Sequence, residues 1–145
     1  MSRITSRQQP LNILLVEDSK GDAILIEKAL SSALPGAFTL ARAVTLEAAL
    51  KLLETQSFDV SLLDRSLPDS DEFSGLKCLQ SRSPELPIIY LTAYRDEEVA
   101  FNAIEQGAQD YLYKDNIDGH IIRRAIQYAI LRKQFEGILI TRANF

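Results

Sequence analysis

Five side chains in this 145-residue chain have the types and placement to do chemistry together. Glu17 and Asp18 close the apolar run "LNILLV", Asp64 closes "VSLL", Thr92 closes "PIIYL", and Lys114 closes "DYLY". Carboxylates at the ends of apolar runs are costly unless something binds them, because desolvating a charge is unfavourable without a partner. Two like charges about 4 Å apart repel by about 1 kcal/mol in water, and several times more in a cleft. If Glu17, Asp18 and Asp64 converge, they require a cation. Carboxylate oxygens with room for water select Mg²⁺ rather than zinc, and no His or Cys lies near in the sequence. A metal ion, the Lys114 ammonium and the Thr92 hydroxyl around one carboxylate make a site for a phosphoryl group. Transfer there depends on positioning and on neutralising the phosphoryl oxygens. Asp64 would be the nucleophile and would carry an acyl phosphate.

These residues must be positioned by the elements that precede them. Leu11–Val16 reads as a buried strand, and Ser19 as the cap of a helix whose first turn places Asp22 at the dipole. Ile24, Leu25, Ala29 and Leu30 recur at helical spacing, and Pro35-Gly36 stops the helix. Phe38, Leu40 and Ala41 suit an edge strand. Thr45 caps a helix with a Leu46, Ala49, Leu50, Leu53 stripe. Val60–Leu63 is a strand and Gly75–Arg82 a helix with Leu76 and Leu79 inward. Pro87–Leu91 is a strand and Glu97–Gln106 a helix ended by Gly107. "DYLYK" is a last strand, and Gly119 to about Lys133 a last helix. Five strand–helix units in alternation predict an α/β, flavodoxin-like, doubly wound parallel sheet of five strands with five helices. In the order 2-1-3-4-5 the first and third strands are neighbours, and the acidic residues meet at the carboxyl edge.

The totals narrow the choice of function. A formal net charge of −4 disfavours nucleic acid as the main partner. One cysteine, Cys78, excludes an internal disulfide and fits a reducing, cytoplasmic setting. No apolar run approaches the ~20 residues of a membrane span. "VEDSKGD" carries one glycine where the dinucleotide fingerprint wants three. The acidic loop "DSDEFSG" fails as a calcium loop, since Phe73 and Ser74 occupy the ligand and glycine positions. Residues 1–10 read as a disordered arm, 11–133 as the domain and 134–145 as a helical extension or tail. Tyr128, Leu131, Phe135 and Ile138 fall at 3-4-3 spacing, the seam of a short coiled coil. That seam suits a homodimer through the last strand and helix, or a tail folded back on its own domain.

The stretches "ILLVED", "DVSLLDRSLPD", "PIIYLTAY" and "GAQDYLYK", in that order at successive strand ends, make the chain similar to the receiver domain of two-component response regulators. The resemblance implies that Asp64 is the phosphoacceptor. It implies that Asp18, Asp64 and the backbone carbonyl of Ser66 hold Mg²⁺, with Glu17 acting through metal-bound water. Thr92 would be the switch hydroxyl, Lys114 the salt-bridge partner and Tyr111 the aromatic switch. The phosphoryl donor would be a sensor histidine kinase or histidine phosphotransfer protein, with slow autodephosphorylation, and the output would pass to a downstream protein partner. The chain departs from the pattern where Asp115 replaces a proline after Lys114, so a trans peptide is expected there. Gly75 is also delayed by "SDEFS". Arg65 and Tyr94 flank the expected pocket. Two rivals remain. A phosphatase with an aspartate nucleophile would want a second aspartate at position 66, where Ser66 stands. A phosphate-independent scaffold would not need the complete acidic, hydroxyl and lysine set. The expectation is a non-enzymatic signalling domain without its own DNA-binding output.

Overall fold

A computed structural model describes residues 9–143 apart from 72 and 94, and side chains as far as Glu136. Five strands, β1 (Leu11–Val16), β2 (Phe38–Ala43), β3 (Val60–Asp64), β4 (Ile88–Thr92) and β5 (Asp110–Tyr113), form one sheet in the order β2-β1-β3-β4-β5. All four pairings are parallel. The helices between and after them are α1 (Lys20–Ala33), α2 (Leu46–Thr55), α3 (Ser74–Arg82), α4 (Glu97–Glu105) and α5 (Gly119–Ala143). A single 3₁₀ turn, Lys114–Asn116, follows β5.

The boundaries follow from local chemistry. Ser19 caps α1 by accepting from the Asp22 backbone N–H at 3.2 Å, and Thr45 caps α2 by accepting from that of Ala48 at 3.0 Å. Asp96 caps α4 and Asp118 caps α5, where the Ile121 N–H donates at 2.8 Å. Gly36 (φ +66°) and Gly107 (φ +113°) end α1 and α4 in the left-handed region.

Both sheet faces are covered, which is why β1, β3 and β4 read as nearly continuous apolar runs. Leu11, Ile13, Leu15, Val60, Leu62, Ile89, Leu91 and Leu112 pack against α1 and α5. Leu14, Val16, Leu63, Ile88 and Tyr90 face α2, α3 and α4. The alternation continues past the strand ends. Glu17, Asp64 and Lys114 share parity with Leu15, Leu62 and Leu112, so they fall on the α1 side of the sheet.

One stripe differs from its expectation. Ala29 and Leu30 are buried as expected, but Ile24 and Leu25 face solvent, and Ala23 and Ile26 take their place inside. The cap at Ser19 fixes the phase of the helix, and the small alanines let α1 approach α5 closely. The Lys114–Asp115 peptide is trans, since no peptide among the described residues is cis.

The last helix is one element through the expected boundary at 133, running to Ala143. Midway along it, Arg132 donates to the Gln109 carbonyl at 2.7 Å, and Gln109 donates from Nε2 to Glu136 at 3.0 Å. Arg132 also pairs with Asp110 at 3.6 Å. The helix is thereby clamped to the start of β5. Ile138, the last member of the expected seam, lies outside the described side chains, as the expected arm does apart from Gln9 and Pro10.

Candidate functional site

β1 and β3 lie side by side with Val16 opposite Leu63, so Glu17 and Asp64 leave the sheet at adjacent positions. Glu17, Asp18 and Asp64 each bring a carboxylate oxygen to within 4.8 Å of the others. Glu17 is fully buried and Asp64 nearly so, whereas Asp18 reaches solvent. β5 lies two strands from β3, yet Lys114 crosses the gap. Its Nζ stands 2.7 Å from Glu17 Oε1, 2.9 Å from Asp64 Oδ1 and 3.0 Å from Asp22 Oδ2. Three ammonium protons thus meet three carboxylates.

The backbone around the acidic pair is held by groups that sequence reasoning missed. Arg42 on β2 donates to the Glu17 carbonyl at 3.0 Å and to the Asp18 carbonyl at 3.2 Å. From the sequence alone Asp22 is only a dipole partner for its helix. The available signal was positional: the first turn of a helix that starts at a strand end must lie over that end. The β3–α3 loop, which carries Ser66, is fixed by Asp69. Its carboxylate accepts from the Leu46 and Glu47 N–H groups at 2.8 and 3.0 Å. These bonds hold Asp69 below the usual carboxylate range, against the opposing effect of burial. Opposite, Arg95 bonds Asp115 at 3.2 Å and lies 4.9 Å over the Tyr113 ring, linking the β4–α4 and β5–α5 loops.

Electrostatics follow from the burial. Glu17 is pushed up to about 7, chiefly by burial, with the neighbouring Asp64 carboxylate adding to the shift and Lys114 opposing it. Burial alone would lower Lys114, but its hydrogen bonds to Glu17, Asp64 and Asp22 outweigh that and raise it well above the ordinary lysine value.

The donor set fits a hard divalent cation, and one observation tests that fit. Among the described residues Asp64 Oδ2 is buried with no hydrogen-bond partner, while Glu17 Oε1 has the Lys114 ammonium beside it. A buried carboxylate oxygen left as Asp64 Oδ2 is suits a cation. All three side chains supply oxygen, with no His or Cys in the group.

Thr92 is buried at the end of β4, one residue beyond Leu91, the register partner of Asp64. It stands opposite Tyr113 and has the parity of Tyr90, on the α2–α4 side. Tyr111 is half-buried in that same layer, opposite Tyr90 and edge-on to Tyr113 at 5.7 Å. Ser66 is exposed two residues after β3, and Arg65 is half-buried, its N–H bonded to the Leu91 carbonyl at 2.9 Å. Tyr94 lies outside the described residues. The delayed-glycine loop "SDEFS" packs Phe73 on Tyr90, with ring centroids 5.8 Å apart. A cleft of about 800 Å³ lies away from these groups, at the amino end of the sheet between Phe58, Pro87 and Ile130.

A doubly wound sheet with an aspartate-centred acidic cluster and a lysine at its carboxyl edge defines a class of signalling domain. The chain belongs to the response regulator receiver domain family, which matches residues 13–127. It is 38% identical over 128 residues to the DNA-binding transcriptional regulator NtrC of Proteus hauseri, covering 85% of this chain and 26% of that protein. It is 38% identical over 105 residues to the swarming motility regulation protein RssB of Serratia marcescens, covering 72% of this chain and 46% of the relative. The chain therefore spans about a quarter to a half of these curated relatives. Among solved structures it is similar to a response regulator receiver domain protein from Clostridium thermocellum (TM-score 0.73, 25% identity, 86% of this chain and 98% of that one). It is also similar to the BeF₃-activated DrrB receiver domain (TM-score 0.68, 26% identity, 84% and 98%). The chain is accordingly a receiver domain of two-component response regulators. Among the described residues no helix is long and apolar enough to cross a membrane.

Proposed function

We propose that Asp64 accepts a phosphoryl group from a phosphohistidine on a sensor histidine kinase or a histidine phosphotransfer protein in the cytoplasm, and that the signal passes to a downstream protein partner. The observation that carries this reading is the Asp64 carboxylate itself. It is buried at a strand end, with one oxygen 2.9 Å from Lys114 and the other without a hydrogen-bond partner among the described residues. A carboxylate oxygen of Asp64 attacks phosphorus, the phosphorus–nitrogen bond of the donor breaks, and its electron pair returns to the imidazole. Lys114 neutralises charge on the phosphoryl oxygens. The Thr92 hydroxyl donates to one of them, drawing β4 inward, and Tyr111 follows in the layer the two share. Glu17, Asp18, Asp64 and the Ser66 carbonyl would hold Mg²⁺, which when bound supplies further neutralisation of the phosphoryl charge. Slow hydrolysis of the acyl phosphate resets the domain.

The test is labelling with acetyl phosphate in the presence of Mg²⁺. One phosphoryl group per chain is expected, and Asp64→Asn should abolish it. Labelling of that variant at unchanged stoichiometry would reject the assignment.

A second surface accompanies this reading. Tyr128, Leu131 and Phe135 stand 47%, 40% and 60% exposed along α5, at the spacing of a helix–helix seam. We read them as the contact with a second copy of the chain. Sedimentation should show a dimer that Leu131→Glu converts to monomer; an unmodified chain that is monomeric at high concentration refutes it.

A further inference from the structure

Of the three carboxylates around Lys114, Glu17 and Asp64 belong to the group able to hold a metal ion, and Asp22 does not. Asp22 comes from the first turn of α1, and its side chain is 37% exposed, against 0% and 2% for the other two. Its backbone N–H already serves the Ser19 cap, so the side chain is not needed to start the helix. Building on the phosphoacceptor reading, we infer that Asp22 is a positioning residue that holds the Lys114 ammonium back, favouring entry of the metal ion and opposing retention of the phosphoryl group.

The argument is one of competition for a single cation. Lys114 and a divalent ion draw on the same Glu17 and Asp64 carboxylates. By taking one of three ammonium protons, Asp22 weakens the hold of Lys114 on those two and leaves them freer for the ion. Its negative charge also adds to the attraction for the ion. A phosphoryl group on Asp64 has the opposite need. It requires Lys114 to turn a proton toward its own oxygens, while Asp22 retains that ammonium and repels the incoming anion. Two anions sharing one ammonium lie roughly 5 Å apart. In a partly wet cleft their repulsion changes an affinity by about three- to tenfold.

Removing the charge therefore moves two affinities in opposite directions. In the full chain, Asp22→Asn should raise the Kd for Mg²⁺ alone by about three- to tenfold, read by titration calorimetry. At saturating Mg²⁺ it should lower the Kd for trifluoroberyllate, a phosphoryl mimic, by about the same factor. Asp22→Glu, which restores a carboxylate, should bring both back toward the unmodified values. A merely structural lesion weakens both ligands together, so parallel losses overturn the inference, as does a change below about twofold in each. If the unmodified chain binds neither Mg²⁺ nor trifluoroberyllate, the phosphoacceptor reading itself falls and this inference with it. If the unmodified chain binds both and Asp22→Asn leaves them unchanged, only the role of Asp22 is lost.

Discussion

Lys114→Met removes the ammonium while keeping most of the apolar stem, and so isolates its charge. In the unmodified chain the lysine side chain is 12% exposed, and its ammonium stands 2.7 Å from a fully buried carboxylate and 2.9 Å from one whose side chain is 2% exposed. At the effective dielectric constant of about 20 that describes such sites, each contact is worth about 6 kcal/mol of gross attraction. Desolvation of the three ions offsets most of this. Deleting the cation does not return both sides of that balance, because Glu17 and Asp64 stay buried and now face each other without a counter-charge. A broken buried pair of this kind costs about 3–5 kcal/mol. Asp22, being partly exposed, adds little. In chelator at pH 8, where Glu17 is mostly ionised in the unmodified chain, urea unfolding should show that loss. The thermal midpoint should fall by about 10 °C, at 2–4 °C per kcal/mol for a domain near this size. Millimolar Mg²⁺ should then stabilise the variant more than the unmodified chain, since the lysine no longer competes for the same two carboxylates. A loss under about 1 kcal/mol, or a Mg²⁺ response no larger than that of the unmodified chain, refutes the reasoning.

Three further outcomes follow from the same structure. In metal-free protein Glu17 has a folded value of about 7 against the ordinary 4.5, so between those limits the folded chain holds a proton that the unfolded chain has lost. Its contribution to stability is therefore full below pH 4.5 and is lost as pH rises through 7. The change is on the order of 2–3 kcal/mol, and Glu17→Gln should remove that slope from a pH series of urea midpoints. Gly107→Ala places a Cβ at φ +113° and against the Gln80 side chain, and should destabilise by about 1–3 kcal/mol without altering Mg²⁺ affinity; an unchanged urea midpoint counts against it. Asp69→Ala unties the β3–α3 loop from the start of α2, at a cost of about 0.5–1 kcal/mol for so exposed a carboxylate. Because Asp69 is held below 3.8 in the folded chain, its contribution is present above that pH and is lost as pH falls below it, so the variant and the unmodified chain should converge in acid.

Much of this was legible before any coordinates. Strands buried on both faces produce unbroken apolar runs, so β1, β3 and β4 announced themselves, and polar residues that break such runs mark the edge where a parallel sheet carries its site. Glu17, Asp64 and Lys114 could be placed together because strand alternation is rigid and the strand order 2-1-3-4-5 was assumed, which the sheet bears out. The phase of the first half of α1 could not, because Ile24 and Leu25 are no less apolar than Ala23 and Ile26, which lie inside. The Ser19 cap and packing against α5 together separate the two choices. Asp22 and Arg42 were missed because each serves a contact distant in the chain, 92 residues for Asp22 and Lys114 and 25 for Arg42 and Glu17. Single-sequence periodicity carries no record of such pairs. Cys78 is exposed on α3, where a small side chain on a short amphipathic helix fits either face.

The clamp between α5 and β5 gives this geometry a lever arm. β5 carries Lys114 at its far end, while Gln109 and Asp110 at its near end grip α5 at Arg132 and Glu136. Beyond Glu136 the helix continues for about 10 Å to Ala143, at 1.5 Å per residue. A tilt of about 10° at the clamp would displace the helix tip by roughly 2 Å. Any shift of β5 that follows Lys114 would thus be carried through one strand to the far end of the last helix.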